Sequence, residues 1–345
     1  MRKLYNGMID KRPLLIARCA DVADVITAVN FGRANQLPIA IRGGGHNGPG
    51  LGSVDDGLII DMSQMRGVRV DPNAGAVRVG AGCVTGEVDH ATHAFGLAVP
   101  FGIISTTGVA GLTLSGDHGY LSRQYGLAAD NLLEADVVLA DGNFVTASET
   151  DNADLLWAPR SGGGNFGVVT SFLFKAHPAK MVYGGPIIWE LGQAREIMRW
   201  YSEFEKTAPD NFYAFLGLQL VPPGDPFPRE HWNKKMCVLM ICHNGPSAYA
   251  EKAVNALRGA LPKPIIDWAG PLPYPTVQTM FDALYPTGLQ WYWKGDFAKD
   301  LPDAAIEAHI AATEKIPSPI SAMHLTQWRE IDREVANWSI DPKDL

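Results

Sequence analysis

Three clusters of glycine, at residues 43–52, 102–119 and 162–167, constrain this chain more than any other feature. Glycine weakens the interior of a helix or a strand, so each cluster marks a loop. A loop without side chains exposes consecutive backbone N–H groups to whatever approaches it. A sharp turn between strand and coil would account for one such cluster as well as a ligand would. Three of them point to loops wrapped around a ligand.

Two clusters match a dinucleotide-binding spacing that their surroundings contradict. Gly43-Gly44-Gly45-His46-Asn47-Gly48 fits G-x-G-x-x-G and follows the strand-like Leu37–Ile41. That motif needs a helix immediately after the glycines, whereas residues 49–57 are rich in helix breakers and lack apolar periodicity. Gly162-Gly163-Gly164-Asn165-Phe166-Gly167 fits too, but with the helix-like segment before it and the strand after it. No Walker A sequence is present, so nicotinamide-type and P-loop readings both fail.

At 345 residues and 46% hydrophobic the chain can bury a large core, and its length favours two domains. A formal charge of -8 with acidic and basic residues interspersed leaves no basic footprint for nucleic acid or an anionic membrane. No apolar run reaches ~18 residues, and the stretch Met1 to Gly7 has no apolar signal region. The expectation is a soluble, cytoplasmic protein whose partners are small molecules. Cys19, Cys83, Cys237 and Cys242 are too scattered for a disulfide framework or a zinc site and read as buried small hydrophobes, although Cys83 lies near the glycine clusters.

Apolar residues Val22, Val25, Ile26 and Val29 at helical spacing behind Asp21 predict a helix over 21–35. Strand-like 14–17 and 37–41 flank it in a β-α-β unit. Further strands are predicted at 57–61, 68–71, 76–79, 136–140 and 168–174, with turn chemistry at Asp71–Gly75, and helices at 84–95 and 153–158. Beyond about 180 glycine thins, tryptophan and proline rise, and amphipathic helices are predicted at 194–206 and 247–260, the second with Ser247 as a cap. Residues 221–228 read as a Pro-rich surface loop there. The class is α+β, with domains at 1–180 and 181–345.

Arg42-Gly43-Gly44-Gly45-His46-Asn47, then Thr107-Gly108-Val109-Ala110-Gly111-Leu112-Thr113-Leu114, then residues 121–132, then 162–170, occur in the order and form that resembles the berberine-bridge-enzyme-like flavoproteins of the vanillyl-alcohol-oxidase, or PCMH-type, FAD-binding class. The match spans residues 5–180, and a flavin dinucleotide is the kind of large planar ligand that needs close approach to backbone. The resemblance implies a PCMH-type FAD-binding domain of two α/β subdomains, then an α+β substrate domain with an antiparallel sheet covered by helices. It implies FAD bonded through His46, with Arg42, Gly43, Gly44, Gly45 and Asn47 around the pyrophosphate. Thr107, Gly108, Gly111, Gly119, Asp130, Asn131, Asn165, Gly167 and Val168 would line the flavin and adenosine. A loop histidine bonded to nearby backbone is the alternative for His46.

The implied activity is oxidation: hydride passes from a C–H beside a hydroxyl or amine of a small substrate to flavin N5, and oxygen reoxidises the cofactor. Tyr125 matches a position that faces the active site in relatives, and Tyr292 with Lys294 resembles a segment lining the substrate cavity. Trp291 and Trp293 read rather as aromatic core, and His118 as structural. Some relatives add a second bond from a cysteine before the Gly-Val-Ala-Gly segment, but residues 102–107 contain none, so a single linkage is expected. Ser115-Gly116-Asp117-His118-Gly119 interrupts a usual glycine run, and the Asp117 carboxylate is expected to crowd or repel the flavin. Relatives extend further at both ends, so a chain truncated at its C-terminus is expected, with Trp338–Pro342 resembling a strand and turn inside the substrate domain. A flavin-binding protein with little turnover is the alternative that these departures keep open.

Overall fold

The computed structural model describes residues 2–326. Trp338–Pro342 lies outside the described residues. The described residues form two compact units, one made of 2–184 together with Gly270–Lys299, the other of Gly185–Ala269 with 300–326.

The first unit opens with β1 (Leu15–Arg18), α1 (Val22–Ala34), β2 (Ile39–Arg42) and β3 (Leu58–Asp61). Asp21 stands in extended backbone and accepts the Asp24 N–H at 3.1 Å, which starts α1 where the sequence predicts. The helix buries Val25, Ala28, Val29 and Gly32. β1 and β2 both run parallel to β3, which lies between them, so the β-α-β unit is completed by a strand inserted at its centre. All four residues of β3 are buried, as the continuous run Leu58-Ile59-Ile60 requires of a central parallel strand.

Next come β4 (Val68–Asp71), β5 (Ala76–Gly80), α2 (Thr85–His93), β6 (Leu97–Ala98), α3 (Val109–Thr113), α4 (Ser122–Tyr125), β7 (Leu132–Val138), β8 (Phe144–Ser148), α5 (Ala153–Trp157), β9 (Val168–Lys175) and β10 (His177–Pro178). Five of these strands make an antiparallel sheet in the order β4-β5-β9-β7-β8. The β4–β5 turn closes as its residues dictate: Asp71 Oδ1 accepts the N–H groups of Asn73 and Ala74, both at 3.0 Å. Val25 and Val29 of α1, Leu58 and Ile60 of β3, and Val77, Val137, Phe172 and Phe174 of the larger sheet belong to one apolar cluster. Its burial holds the two subdomains together.

The second unit carries the last part of β11 (Met181–Glu190), then α6 (Ala194–Thr207), β12 (Phe212–Leu220), β13 (Lys235–His243), α7 (Ser247–Ala260) and β14 (Ile266–Asp267). β15 (Gly270–Pro273) and α8 (Tyr274–Gln278) belong to the first unit, and α9 (Asp303–Thr313) and β16 (Ala322–Thr326) to the second. The sheet order is β14-β11-β13-β12-β16, with β12 antiparallel to both neighbours and α9 packed on α6, β12 and β16. Ser247 is the first residue of α7 and Pro246 stands at its cap. Among the described residues no helix is long and apolar enough to cross a membrane.

A single cut at residue 180 therefore needs one correction: residues 270–299 pack with the N-terminal unit. β15 pairs with Met181–Gly184, Gln278 bonds Asp89, and Asp282 bonds Ser105. Composition cannot show this, because the contacts join residues far apart in sequence, 189 apart for Gln278 with Asp89 and 177 for Asp282 with Ser105.

The sheet end that launches the first glycine loop is fixed by one ion pair. Parallel register sets Arg42 beside Asp61, and the buried Arg42 Nη2 lies 2.7 Å from Asp61 Oδ2. Burial alone would raise the Asp61 carboxyl, but hydrogen bonds from Arg42 and Ser63 and the Arg42 charge hold it below its ordinary value near 3.8. Asp61→Asn leaves a buried guanidinium without its counter-charge, and the expected cost is ~3–5 kcal/mol at neutral pH. Asp61 contributes stability above its unfolded pKa that is lost as pH falls through its folded value. Denaturant titrations should show the gap between parent and variant closing in acid.

Candidate cofactor site

Beyond Arg42 the chain leaves the sheet as glycine, with Gly45 in left-handed backbone at φ 66°. Among the described residues, the N–H groups of Gly43, Gly44, Gly45 and His46 donate to no main-chain acceptor. They border a cavity of about 450 Å³ that is also lined by Lys3, Arg18, Arg42, Asp61 and Thr106. Successive free N–H groups with cations beside them make an anion-binding concavity.

The second glycine loop meets the first backbone to backbone. A Cβ on Gly44 would lie 2.6 Å from the Gly108 Cα, and one on Gly108 would lie 2.3 Å from the Gly44 nitrogen. The Gly108 loop is held in turn by Thr85 N–H donating to Thr107 O and Val109 N–H donating to Cys83 O, each at 2.9 Å. Cys83 supports this pairing from the core: its side chain is buried and burial pushes the thiol up to about 11. A Cβ on the exposed Gly111 would meet nothing within 4 Å.

His46 ends the first loop half-buried. Its ring stacks on Tyr5 with centroids 3.6 Å apart and planes 22° apart, and Nε2 lies 3.5 Å from Thr106 Oγ1. Desolvation pushes the imidazole down to about 4, so at neutral pH it is uncharged with a lone pair available. Asn47 is exposed, and its Oδ1 accepts the Leu51 N–H at 2.9 Å.

A buried polar network stands behind the second loop. Gln278 Nε2 donates to Gly102 O at 2.9 Å and to Asp89 Oδ2 at 3.2 Å, while the Ser105 N–H donates to Asp282 Oδ1 at 2.9 Å and its hydroxyl to Asp282 Oδ2. Burial pushes Asp89 up to about 7, with Gln278 opposing and the Asp282 charge adding. Asp117 stands in left-handed backbone at φ 73° with its carboxyl against Gly102. Burial raises it well above the carboxylate range and the Asp89 charge adds to this, against hydrogen bonds from the Gly102 and His118 backbone. Burial thus biases the Asp117 side chain towards its neutral form, and it does not line the cavity at Gly43–His46.

The remaining sequence candidates are dispersed. The Tyr125 ring stacks on His177 at 3.9 Å and 12°, with its hydroxyl 3.5 Å from Pro178 O. Asn131 is a latch: Nδ2 donates to Tyr125 O and Leu127 O, and Oδ1 lies 2.6 Å from His177 Nε2. Asp130 Oδ2 accepts the Leu127 N–H at 2.8 Å. A Cβ on Gly119 would collide with Phe101 O, Asn165 is exposed, Gly167 has φ 145°, and Val168 opens β9 opposite Val138. Tyr292 is 80% exposed and Lys294 is exposed, flanking a Trp293 ring that reaches Gly48. Sequence reasoning missed Thr106, His177, Asp89, Gln278 and Asp282 as parts of this region.

Comparison with known proteins fits these loops. Residues 13–148 match a family model described as an FAD binding domain. Over 328 residues, 94% of this chain and 69% of the relative, the sequence is 32% identical to an FAD-linked oxidoreductase of Dictyostelium discoideum. The chain belongs to the FAD-linked oxidoreductases. Among solved structures, this FAD-linked oxidoreductase is similar to 6-hydroxy-D-nicotine oxidase from Arthrobacter nicotinovorans, with TM-score 0.78 and 27% identity over 92% of this chain and 69% of that one. It is also similar to the BBE-like 1 protein of Physcomitrella patens, with TM-score 0.75 and 25% identity over 91% of this chain and 70% of that one. Other curated relatives are spanned over 50% and 40% of their length. The PCMH-type fold and FAD dependence follow, and the berberine-bridge-like resemblance holds.

Because the unfolded chain ionises Asp117 near 3.8 while burial raises its pKa in the folded chain, its burial cost grows as pH rises above that value. Asp117→Gly removes the carboxyl and suits the positive φ. The melting temperature of the variant relative to the parent should be higher at about pH 8 than at about pH 5; equal differences at both would show that the carboxyl ionises freely in the fold.

Proposed function

We propose that this FAD-linked oxidoreductase seats FAD in the cavity bordered by residues 43–46 and Thr106, with Asn47 and the 107–111 loop beside it, bonds it through His46, and oxidises a small organic substrate with oxygen as the final acceptor. The observation that carries this reading is the run of four free N–H groups ending in an uncharged histidine. When bound, FAD supplies a hydride acceptor at N5 for a C–H beside a hydroxyl or amine.

The chain's own residues do the rest. The N–H groups of Gly43 to His46 bind the pyrophosphate, and Lys3 and Arg18, for which no ion pair occurs among the described residues, add positive charge at the same cavity. Thr107, Gly108 and Gly111 leave room for a planar ring. Gly119, Asp130, Asn131, Asn165, Gly167 and Val168 complete the proposed lining, Asn131 and Asp130 by holding the 125–131 loop in shape. Of the candidates for moving the substrate proton, Tyr292 and Lys294 are accessible, while Tyr125 already places its hydroxyl near Pro178 O. The Asp117 carboxyl beside Gly102 favours a second reading, a flavin-binding chain with little turnover.

Acid or SDS precipitation of purified protein separates these. The expected result is a yellow pellet with a flavin-sized mass increment on the peptide containing His46, and His46→Ala moving the flavin to the supernatant. Anaerobic mixing with sugars, secondary alcohols and cyclic amines should bleach the bound flavin for at least one class. Bound flavin that no substrate bleaches selects the second reading, and protein without flavin in either fraction would sink both.

A further inference from the structure

Within the loop the His46 ring has one hold, a hydrogen bond to its own backbone, because it follows three glycines whose N–H groups bond no main-chain acceptor. The further constraint comes from both ends of the first unit. Tyr5 is 3% exposed and immobilised at every polar atom: its N–H donates to Gly45 O at 3.0 Å, its carbonyl accepts the Gly288 N–H at 2.8 Å, and its hydroxyl donates to Tyr285 O at 3.0 Å. Trp291 and Trp293 lie nearly parallel to it, each with its centroid 6.0 Å away and planes within 13°. Asn6 ties this segment to the loop beyond His46, donating from Nδ2 to Gly48 O at 2.9 Å and to Trp291 O at 2.8 Å and accepting the Trp291 N–H at 2.9 Å. Thr106, whose Oγ1 lies 3.5 Å from the imidazole Nε2, is placed by the loop that Asp282 grips through Ser105.

We infer that Tyr5, seated by Trp291 and Trp293, is the positioning residue that sets the His46 ring for its bond to the cofactor. This rests on the proposed His46 linkage. In that bond an imidazole nitrogen joins the 8α carbon. One N–H and one C–H bond break and a C–N bond forms. The two hydrogens, with two electrons, pass to the flavin ring and are then removed by oxygen as hydrogen peroxide. The nitrogen must face one carbon within a narrow cone, and a misplaced group of this kind loses rate by up to ~10²-fold. A flat partner at 3.6 Å fixes the imidazole plane, which a loop of glycine cannot do.

The test uses full-length protein reconstituted with FAD, reading attached flavin as fluorescence of the denatured gel band and total flavin by absorbance before denaturation. Tyr5→Phe, which keeps the ring, should attach FAD as the parent does. Tyr5→Leu should bind the same total FAD but attach it on the order of ten-fold more slowly. Attachment by Tyr5→Leu at the parental rate would overturn the inference. Should Tyr5→Leu fail to bind FAD, Trp293→Leu, which removes a half-exposed buttress, decides: slower attachment supports the role of the stack and an unchanged rate overturns it. A parent that binds FAD without attaching any would overturn the His46 linkage and this inference with it, an outcome visible in the parent alone.

Discussion

The contact between Gly44 and Gly108 is the constraint on which the rest of the site depends. Two loops pass so closely that neither can carry a side chain, and the first of them, with Thr106 of the second, lines the cavity. Each loop must then be held from behind, because glycine has no side chain to anchor itself. Arg42 and Asp61 hold the first at the ends of adjacent parallel strands. The antiparallel bridge between Val84 and Gly108 holds the second, with Gln278 and Asp282 gripping the segment that leads into it.

These grips explain why residues 270–299 belong with the N-terminal unit. Their bonds fall on Asp89, Gly102 and Ser105, and the same segment reaches Tyr5 and Asn6 at the start of the chain. A cofactor domain whose loops are glycine-rich draws its rigidity from elements far away in sequence. The aromatic rings around His46 are part of that rigidity rather than a substrate surface, at least for Trp291, which is 7% exposed.

Much of this was legible in the sequence where cause and effect are local. Asp21 starts a helix because a carboxylate can accept an N–H three residues on, and Asp71 to Gly75 turns a hairpin for the same kind of reason. The Arg42 to Asn47 loop was readable because composition alone frees its N–H groups. The resemblance implied an antiparallel sheet in the second domain, but the strands β12 and β13 were not located in the sequence, since they are nearly all buried and lack the alternation that marks a half-exposed strand. The pairs Asp89 with Gln278 and His46 with Tyr5 left no local signal, because each depends on which distant segments the fold brings together. Tyr292 drew notice because its segment resembles one lining the substrate cavity, and such a resemblance says nothing about exposure.

Charge around the cavity follows a consistent logic. FAD brings a pyrophosphate, so ionised carboxylates nearby would oppose binding. Among the described residues, the one carboxylate at the cavity wall, Asp61, is matched by Arg42, leaving Lys3 and Arg18 as surplus positive charge. Asp89 and Asp117, which sit deeper, are driven towards their protonated forms by burial. His46 and His118 are driven by the same desolvation towards neutrality. A carboxyl in place of glycine at residue 117 is therefore compatible with the anion site, because the burial that makes it costly to the fold also removes its charge.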